Sequence, residues 1–558
     1  MVKTSISSLP PEIIDYIASH LTNPTDLNSC SLLNNYLYRI FTPHLWRTIH
    51  FCHRGQDNAD YYLAFYDRHR VRWFSRLEQS IKAGSLERNG HWVQSIRSGY
   101  FDTVKLLASH GHNLTGLQEL KLGSDPCMTT NPFGRLRKTL DLELLVTVLR
   151  RCTSLQSLKL VGRLLNETKP GWLKVLGSIP VSVENLELED WCPAGSARWI
   201  SEPLNNSLGP YRNEVVETTT QPPPPTLFRL KRLALISYSA HVSQKTTHFL
   251  LSNSPNLETI YLSSSNQRGS LQLVSSLLAS HCPRVKHLHL LEWDNSSDAE
   301  LADLLQCSKS GWRTVDMPRP STGARQEFGK LSTVALLKHA STLQNICLAG
   351  CWTLPSSAVQ ALLSSAPNLK RFDTITDSVS GGSRDLTLDA IDIIAGDDWV
   401  CTSLESLQVQ IGGIPRPDVH IRHDGQPFTS TLNFEGTIED SRSIQRLVYT
   451  QLGRLTQLKQ LVLGRGIVKQ QTALAAGLDS EDGGGEESGG DDGGRVEYHH
   501  GFQYECLEMN LASGMGLMAG LKELRRMEVN AMATTKWENE DIEWICEHWP
   551  KLDPKYKF

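Results

Sequence analysis

Apolar residues return along this chain at positions i, i+3 and i+5, and polar residues fill the places between. The triplets are Leu117/Leu120/Leu122, Leu155/Leu158/Leu160, Leu230/Leu233/Leu235, Leu257/Ile260/Leu262, Val285/Leu288/Leu290, Leu343/Ile346/Leu348, Leu404/Leu407/Val409 and Leu458/Leu461/Leu463. The last two members of each triplet are two apart, so they share one face of a short strand while their neighbours share the other. Between triplets lie stretches such as SLQLVSSLLASHC, AELADLLQC and SSAVQALLSSA, whose apolar spacing is helical. A separation of 28 residues from Leu257 to Val285, and of 27 from Val285 to Trp312, leaves room for one strand and one helix. A unit of that size buries too little apolar surface alone, so each must stack on its neighbours. The predicted fold is α/β, a solenoid.

L-x-x-L-x-L at this period resembles the core of a leucine-rich repeat. In LQNICLAGCWTL, Cys351 falls three residues after Leu348, in the slot where that repeat type takes Asn or Cys to hydrogen-bond the turn. Interruptions fall between repeats. TTTQPPPPT ends a Pro-rich loop near 203–226, since consecutive prolines enter neither a helix interior nor a paired strand. GGIPRPDVHIRHDGQP predicts a loop beside the array. LDSEDGGGEESGGDDGG at 478–494 has no apolar residue after Leu478 and predicts disorder. Trp544, Ile545, Trp549 and Leu552 predict a helix that closes the exposed end.

The first residues follow another rule. Ile13, Ile17 and Leu21 have helical spacing behind Pro10 and Pro11, where a missing N–H costs little. Pro24 stops that helix, and Thr25 is placed to cap a second one carrying Leu27, Cys30 and Leu33. Leu9-Pro10, Glu12, Ile13, Ile17, Leu21, Asp26-Leu27, Leu33 and Leu45-Trp46 resemble the F-box, and CSLLNN is similar to the version found in fungal F-box proteins. Leu37 stands where that family usually has Trp. The resemblance implies a three-helix F-box over 1–51, with Leu9, Pro10, Ile13, Ile17, Leu21 and Leu27 contacting a Skp-type adaptor and, through it, a cullin. Residues 52–92, where Tyr61, Phe65, Trp73 and Ile81 interleave with Arg68, Arg70 and Arg76, predict a helical connector, and 93–558 the repeat array beginning at Val93 and Ile96.

Charge and cysteine narrow the partners. The 558 residues carry a net charge of -4 without a dominant basic run, which points away from nucleic acid and from anionic membrane. The N-terminus lacks a signal-like apolar run, and no stretch reaches about 20 apolar residues, so the expected setting is cytoplasmic or nuclear. Of the 12 cysteines, Cys152, Cys282 and Cys401 each precede a first triplet residue by three, the signature of a small buried apolar side chain rather than of half a bridge.

Residues flanking the strand leucines would line the concave face of the array, and Glu187, Glu189, Arg232, Tyr261, His287, His289 and Asp316 are the candidate target-binding set. Further along the same face stand Arg371, Asp373, Gln408 and Gln410. His287 and His289 share a face, but zinc needs three or four ligands, so no metal and no cofactor is expected. No nucleophile elbow, Walker loop or H-E-x-x-H occurs, which points away from catalysis. The resulting expectation is a non-catalytic receptor of a Skp–cullin–F-box ubiquitin ligase that holds a target protein. The rival expectation is a repeat scaffold or inhibitor whose helical head is only a cap.

Overall fold

The computed structural model describes residues 9–51, 76–98, 102–123, 141–161, 172–190, 227–237, 244–264, 270–293, 296–317, 327–349, 351, 353–375, 387–417, 434–463, 507–529 and 537–553. The Pro-rich stretch, the acidic glycine-rich insertion and most of the aromatic and basic residues before Arg76 lie outside them. The chain forms two compact units, one of Met1–Leu288 with Cys307–Ser310, the other of His289–Gln306 with Gly311–Phe558.

The first unit opens with three helices, α1 (Pro11–His20), α2 (Pro24–Ser31) and α3 (Asn35–Trp46). Pro11 and Pro24 sit in first turns, where no intrahelical N–H is needed. The second cap is Asn23, whose Oδ1 accepts from Thr25 N at 3.1 Å, rather than the predicted Thr25. A proline in the first helical position moves the cap one residue upstream of it. Asn34 caps α3 by accepting from Leu37 N at 2.8 Å. The helices close over Ile14, Ala18, Leu27, Leu37 and Phe41, with Leu21, Cys30, Ile40 and Leu45 packed around them. Leu37 thus fills the place of the usual tryptophan from inside the core. The buried stripe of α1 is Ile14 and Ala18, one residue on from Ile13 and Ile17, the predicted adaptor contacts.

Repeats begin earlier than the predicted Val93. Directly after α3, β1 (Thr48–Phe51) pairs in parallel with β2 (Ser95–Ser98), so the predicted connector is a long excursion between the first two strands. Then follow β3 (Glu119–Gly123), β4 (Ser157–Val161), β5 (Asn185–Asp190), β6 (Arg232–Ser237) and β7 (Thr259–Ser264), each parallel to its predecessor. The register aligns Ile49, Ile96, Leu120, Leu158, Leu186, Leu233 and Ile260 in one buried row. One backbone device repeats along the strand starts. The carbonyl of Gln118 accepts from Gln156 N and Ser157 N at 2.8 and 2.9 Å, and that of Glu184 from Lys231 N and Arg232 N at 2.9 and 3.0 Å. From β2 to β7 each strand entry is satisfied in this way by the one before it, as a stacked array requires.

β8 (His287–Trp293) carries the chain from the first unit into the second. There β9 (Thr314–Asp316), β10 (Asn345–Cys347) and β11 (Arg371–Asp373) pair in order, and β13 (Ser406–Gly412), β14 (Gln460–Leu463) and β15 (Arg526–Glu528) continue the ladder. The buried row is Val315, Ile346, Phe372, Leu407, Leu461 and Met527. A short strand the leucine spacing does not reveal, β12 (Thr387–Asp389), pairs with the far end of β13, where Gly413 at φ +71 leaves room for the Asp389 carboxylate. The final helix (Asn539–His548) delivers Trp549, fully buried, with Nε1 donating to Met518 O at 3.1 Å.

Cys152, Cys282 and Cys401 are buried and unbridged, and burial pushes their thiols up to about 12. Cys351 does not bond the turn through sulfur. Its Sγ lies 3.6 Å from Met317 Sδ in the core, because the side chain points inward. Among the described residues no helix is long and apolar enough to cross a membrane.

Candidate functional site

Two surfaces of the first unit are candidates, one on the helical head and one on the strands. With its own core closed, the head still exposes large apolar side chains. Leu9, Ile13 (48 %), Tyr16, Leu32, Leu33 (68 %), Tyr36 and Tyr38 all face out. Tyr36 Oη donates to Leu9 O at 3.4 Å and ties the start of α3 to the residues before α1. So many exposed apolar groups on fewer than fifty residues mark an interaction surface rather than scattered surface leucines.

Of the six predicted adaptor contacts, Leu9, Pro10 and Ile13 are exposed, Ile17 and Leu21 are half-buried, and Leu27 (5 %) lies inside the core. Leu27 therefore supports the surface from beneath. Tyr16, Leu32, Tyr36 and Tyr38 escaped the sequence reading. Tyr16 follows Ile13 by three, the helical spacing of a shared face, and was the one signal available.

On the strands, residues alternating with the buried rows form the open face. Lys159 on β4 bonds both Glu187 and Glu189 of β5, the latter at 2.8 Å. Burial opposes the charge on Lys159, but the two carboxylates outweigh it and raise its pKa. The predicted acidic pair is thus engaged within the protein, and its cation was missed because pairing across strands cannot be read from local spacing. Further toward the start of the unit, Glu119 accepts from Ser95 Oγ at 2.7 Å and Arg97 Nη2 at 3.0 Å. Burial works to raise its pKa, and these donors with the Lys121 charge hold it below the usual carboxylate range.

Arg232 lies over the Tyr261 ring, Cζ 4.5 Å from its centroid, in a cation–π arrangement. His287 occupies the strand start next to Glu258, whose pKa is lowered first by its bond from Lys286 and also by the His287 charge. In the second unit His289 Nδ1 lies 2.9 Å from Asp316 Oδ2. Beyond it Arg371 bonds Asp373 at 3.2 Å, and Gln408 is buried. Within the first unit the predicted residues thus include the Lys159-bridged Glu187 and Glu189 and the stacked Arg232 and Tyr261, and within the second the pairs His289–Asp316 and Arg371–Asp373.

Comparison with known proteins agrees at the head. Residues 6–52 match the F-box-like family, so an F-box-like domain stands at the N-terminus. Among curated proteins no match is found. Solved structures with some likeness include Rad7 in its complex with Elc1 in yeast, 15% identical over 66% of this chain and 89% of that one, with a TM-score of 0.27. A protein from Bacteroides fragilis is 12% identical over 54% of this chain and 70% of that one, with a TM-score of 0.28.

Proposed function

We propose that this protein is a substrate-recognition subunit of a Skp–cullin–F-box ubiquitin ligase, in which the head binds a Skp-type adaptor and the strand face holds a target protein. One observation carries the reading. A domain matching the F-box-like family closes its own core and still exposes Leu9, Ile13, Tyr16, Leu33 and Tyr36, an apolar surface of the kind a partner covers. The direct passage from α3 into β1 supports the same division of labour, because the head is built onto the first repeat without an intervening linker.

Such a subunit performs no reaction itself. It raises the effective concentration of a target beside a conjugating enzyme. The strand–helix repeats would then be of the leucine-rich kind, and the cullin would join through the adaptor.

The test is copurification of the full chain with a Skp-type adaptor. Ile13→Glu combined with Leu33→Glu places two charges on exposed apolar positions and should abolish recovery of the adaptor while thermal stability stays at the wild-type value. Unchanged recovery would favour the alternative of a repeat scaffold with a helical cap.

A further inference from the structure

Three arginines occupy the first position of their strand on the open face, Arg232 on β6, Arg371 on β11 and Arg526 on β15. Two of them carry their own counter-charge two residues on. Arg371 Nη2 reaches Asp373 at 3.2 Å, and Arg526 Nε reaches Glu528 at 2.6 Å. On β6 the corresponding residue is Ala234, and among the described residues no carboxylate pairs with Arg232.

Its neighbours do not supply one. In register, Arg232 is flanked by Asn185 on β5 and Thr259 on β7. The nearby acids are already engaged. Glu184 is held by Lys231 at 2.9 Å, Glu258 by Lys286 at 2.7 Å, and Glu187 and Glu189 by Lys159. The guanidinium is nonetheless not loose, because one face is stacked on Tyr261 while the side chain remains exposed. A stacked guanidinium keeps its N–H edge free in a fixed plane, the arrangement that suits bidentate binding of a carboxylate.

We propose that Arg232 receives a carboxylate side chain, Asp or Glu, of the protein bound on this face. The incoming group takes the role that Asp373 plays for Arg371 and Glu528 for Arg526. This rests on the reading that the strand face binds a target protein, and it deepens that reading by assigning the chemistry of one contact. A carboxylate is favoured over a phosphate because Glu187 and Glu189 share a single lysine, and the residual negative charge on the adjoining strand opposes a dianion.

The test titrates the full chain at low salt with fluorescein-labelled (Gly-Glu)4, (Gly-Gln)4 and (Gly-phosphoserine)4 and follows anisotropy. The wild type should prefer the glutamate peptide over the glutamine peptide by about tenfold, in the range of a charge-assisted hydrogen bond. Arg232→Gln should erase the preference. Arg232→Lys should erase most of it, since an ammonium neither stacks nor forks, and Ala234→Asp should do the same by supplying an internal partner. Arg371→Gln should leave it intact. Equal binding of the glutamate and glutamine peptides, or a preference that survives in all three variants at positions 232 and 234, would overturn the proposal. Tighter binding of the phosphoserine peptide with the same dependence on Arg232 would overturn the assignment to a carboxylate. Adaptor copurification, run on the same proteins, separates the two claims. Wild type that fails to recover adaptor yet shows the Arg232-dependent preference removes the ligase reading and leaves this one standing.

Discussion

Lys159 Nζ lies 2.8 Å from Glu189 Oε2 and also bonds Glu187, so one cation on β4 joins two acids on β5. All three side chains are less than a third exposed. Removing the cation leaves two carboxylates facing each other in partial burial. Lys159→Met should cost about 1–3 kcal/mol in denaturant unfolding. The raised lysine pKa means that this stability is fully present below the unfolded pKa and is lost as pH rises through the folded value. The difference in stability between wild type and Lys159→Met should therefore shrink in strong alkali.

Asp298, the first residue of its own helix, caps the helix of the following repeat. Its Oδ1 accepts from Gly329 N and Ser332 N at 2.8 and 2.9 Å, and its Oδ2 from Leu331 N at 2.9 Å, at the start of the helix Lys330–Leu337. Burial would raise its pKa, but the donors from Ser332, Leu331 and Gly329 hold it below the usual range. Asp298→Ala should cost about 1–2 kcal/mol. The wild-type advantage is present above the unfolded pKa and is lost as pH falls through the folded one, so melting curves of the two proteins should converge in acid.

Within the head, Phe41 and Leu27 are core and Ile13 and Leu33 are surface. Phe41→Ala should destabilise the head by about 3–5 kcal/mol and Leu27→Ala by about 2–5 kcal/mol. Both should lose the adaptor through unfolding, visible as lost protection of α1–α3 in hydrogen exchange. A Leu27→Ala head that keeps its protection but loses the adaptor would mean that Leu27 is a direct contact.

Gly413 combines φ +71 with a Cβ direction that points into the Asp389 carboxylate. Gly413→Ala should cost about 1–2 kcal/mol from the backbone alone and should pull β12 from β13. Exchange at Leu388 and Ile411, which are partners in that ladder, should rise together. Rise at one without the other would place the strain elsewhere.

The strand rows were legible because alternation has a period of two and a one-residue slip would turn every leucine to water. Leu120, Leu158, Leu233, Ile260 and Leu407 all stand where their spacing puts them. On α1 helical spacing alone does not say which apolar residues turn inward. Ile13, Ile14, Ile17 and Ala18 all lie on one broad helical arc, and only the position of α3 selects Ile14 and Ala18 as the inner edge. β12 was illegible because three residues, TLD, carry no period at all.

What the amino-acid order determined by itself was local: the strand–helix repeat, the buried cysteines and the F-box resemblance of the head. Those depend on patterns within a few residues, where side-chain direction follows directly from backbone geometry. Only the tertiary structure decided where the ladder begins, that Lys159 bridges Glu187 and Glu189, and that Arg232 meets Tyr261 and, among the described residues, no acid. Those facts depend on register between strands separated by loops of unequal length, so residues far apart in the chain become neighbours about 5 Å apart. Charge pairing is settled by that distance.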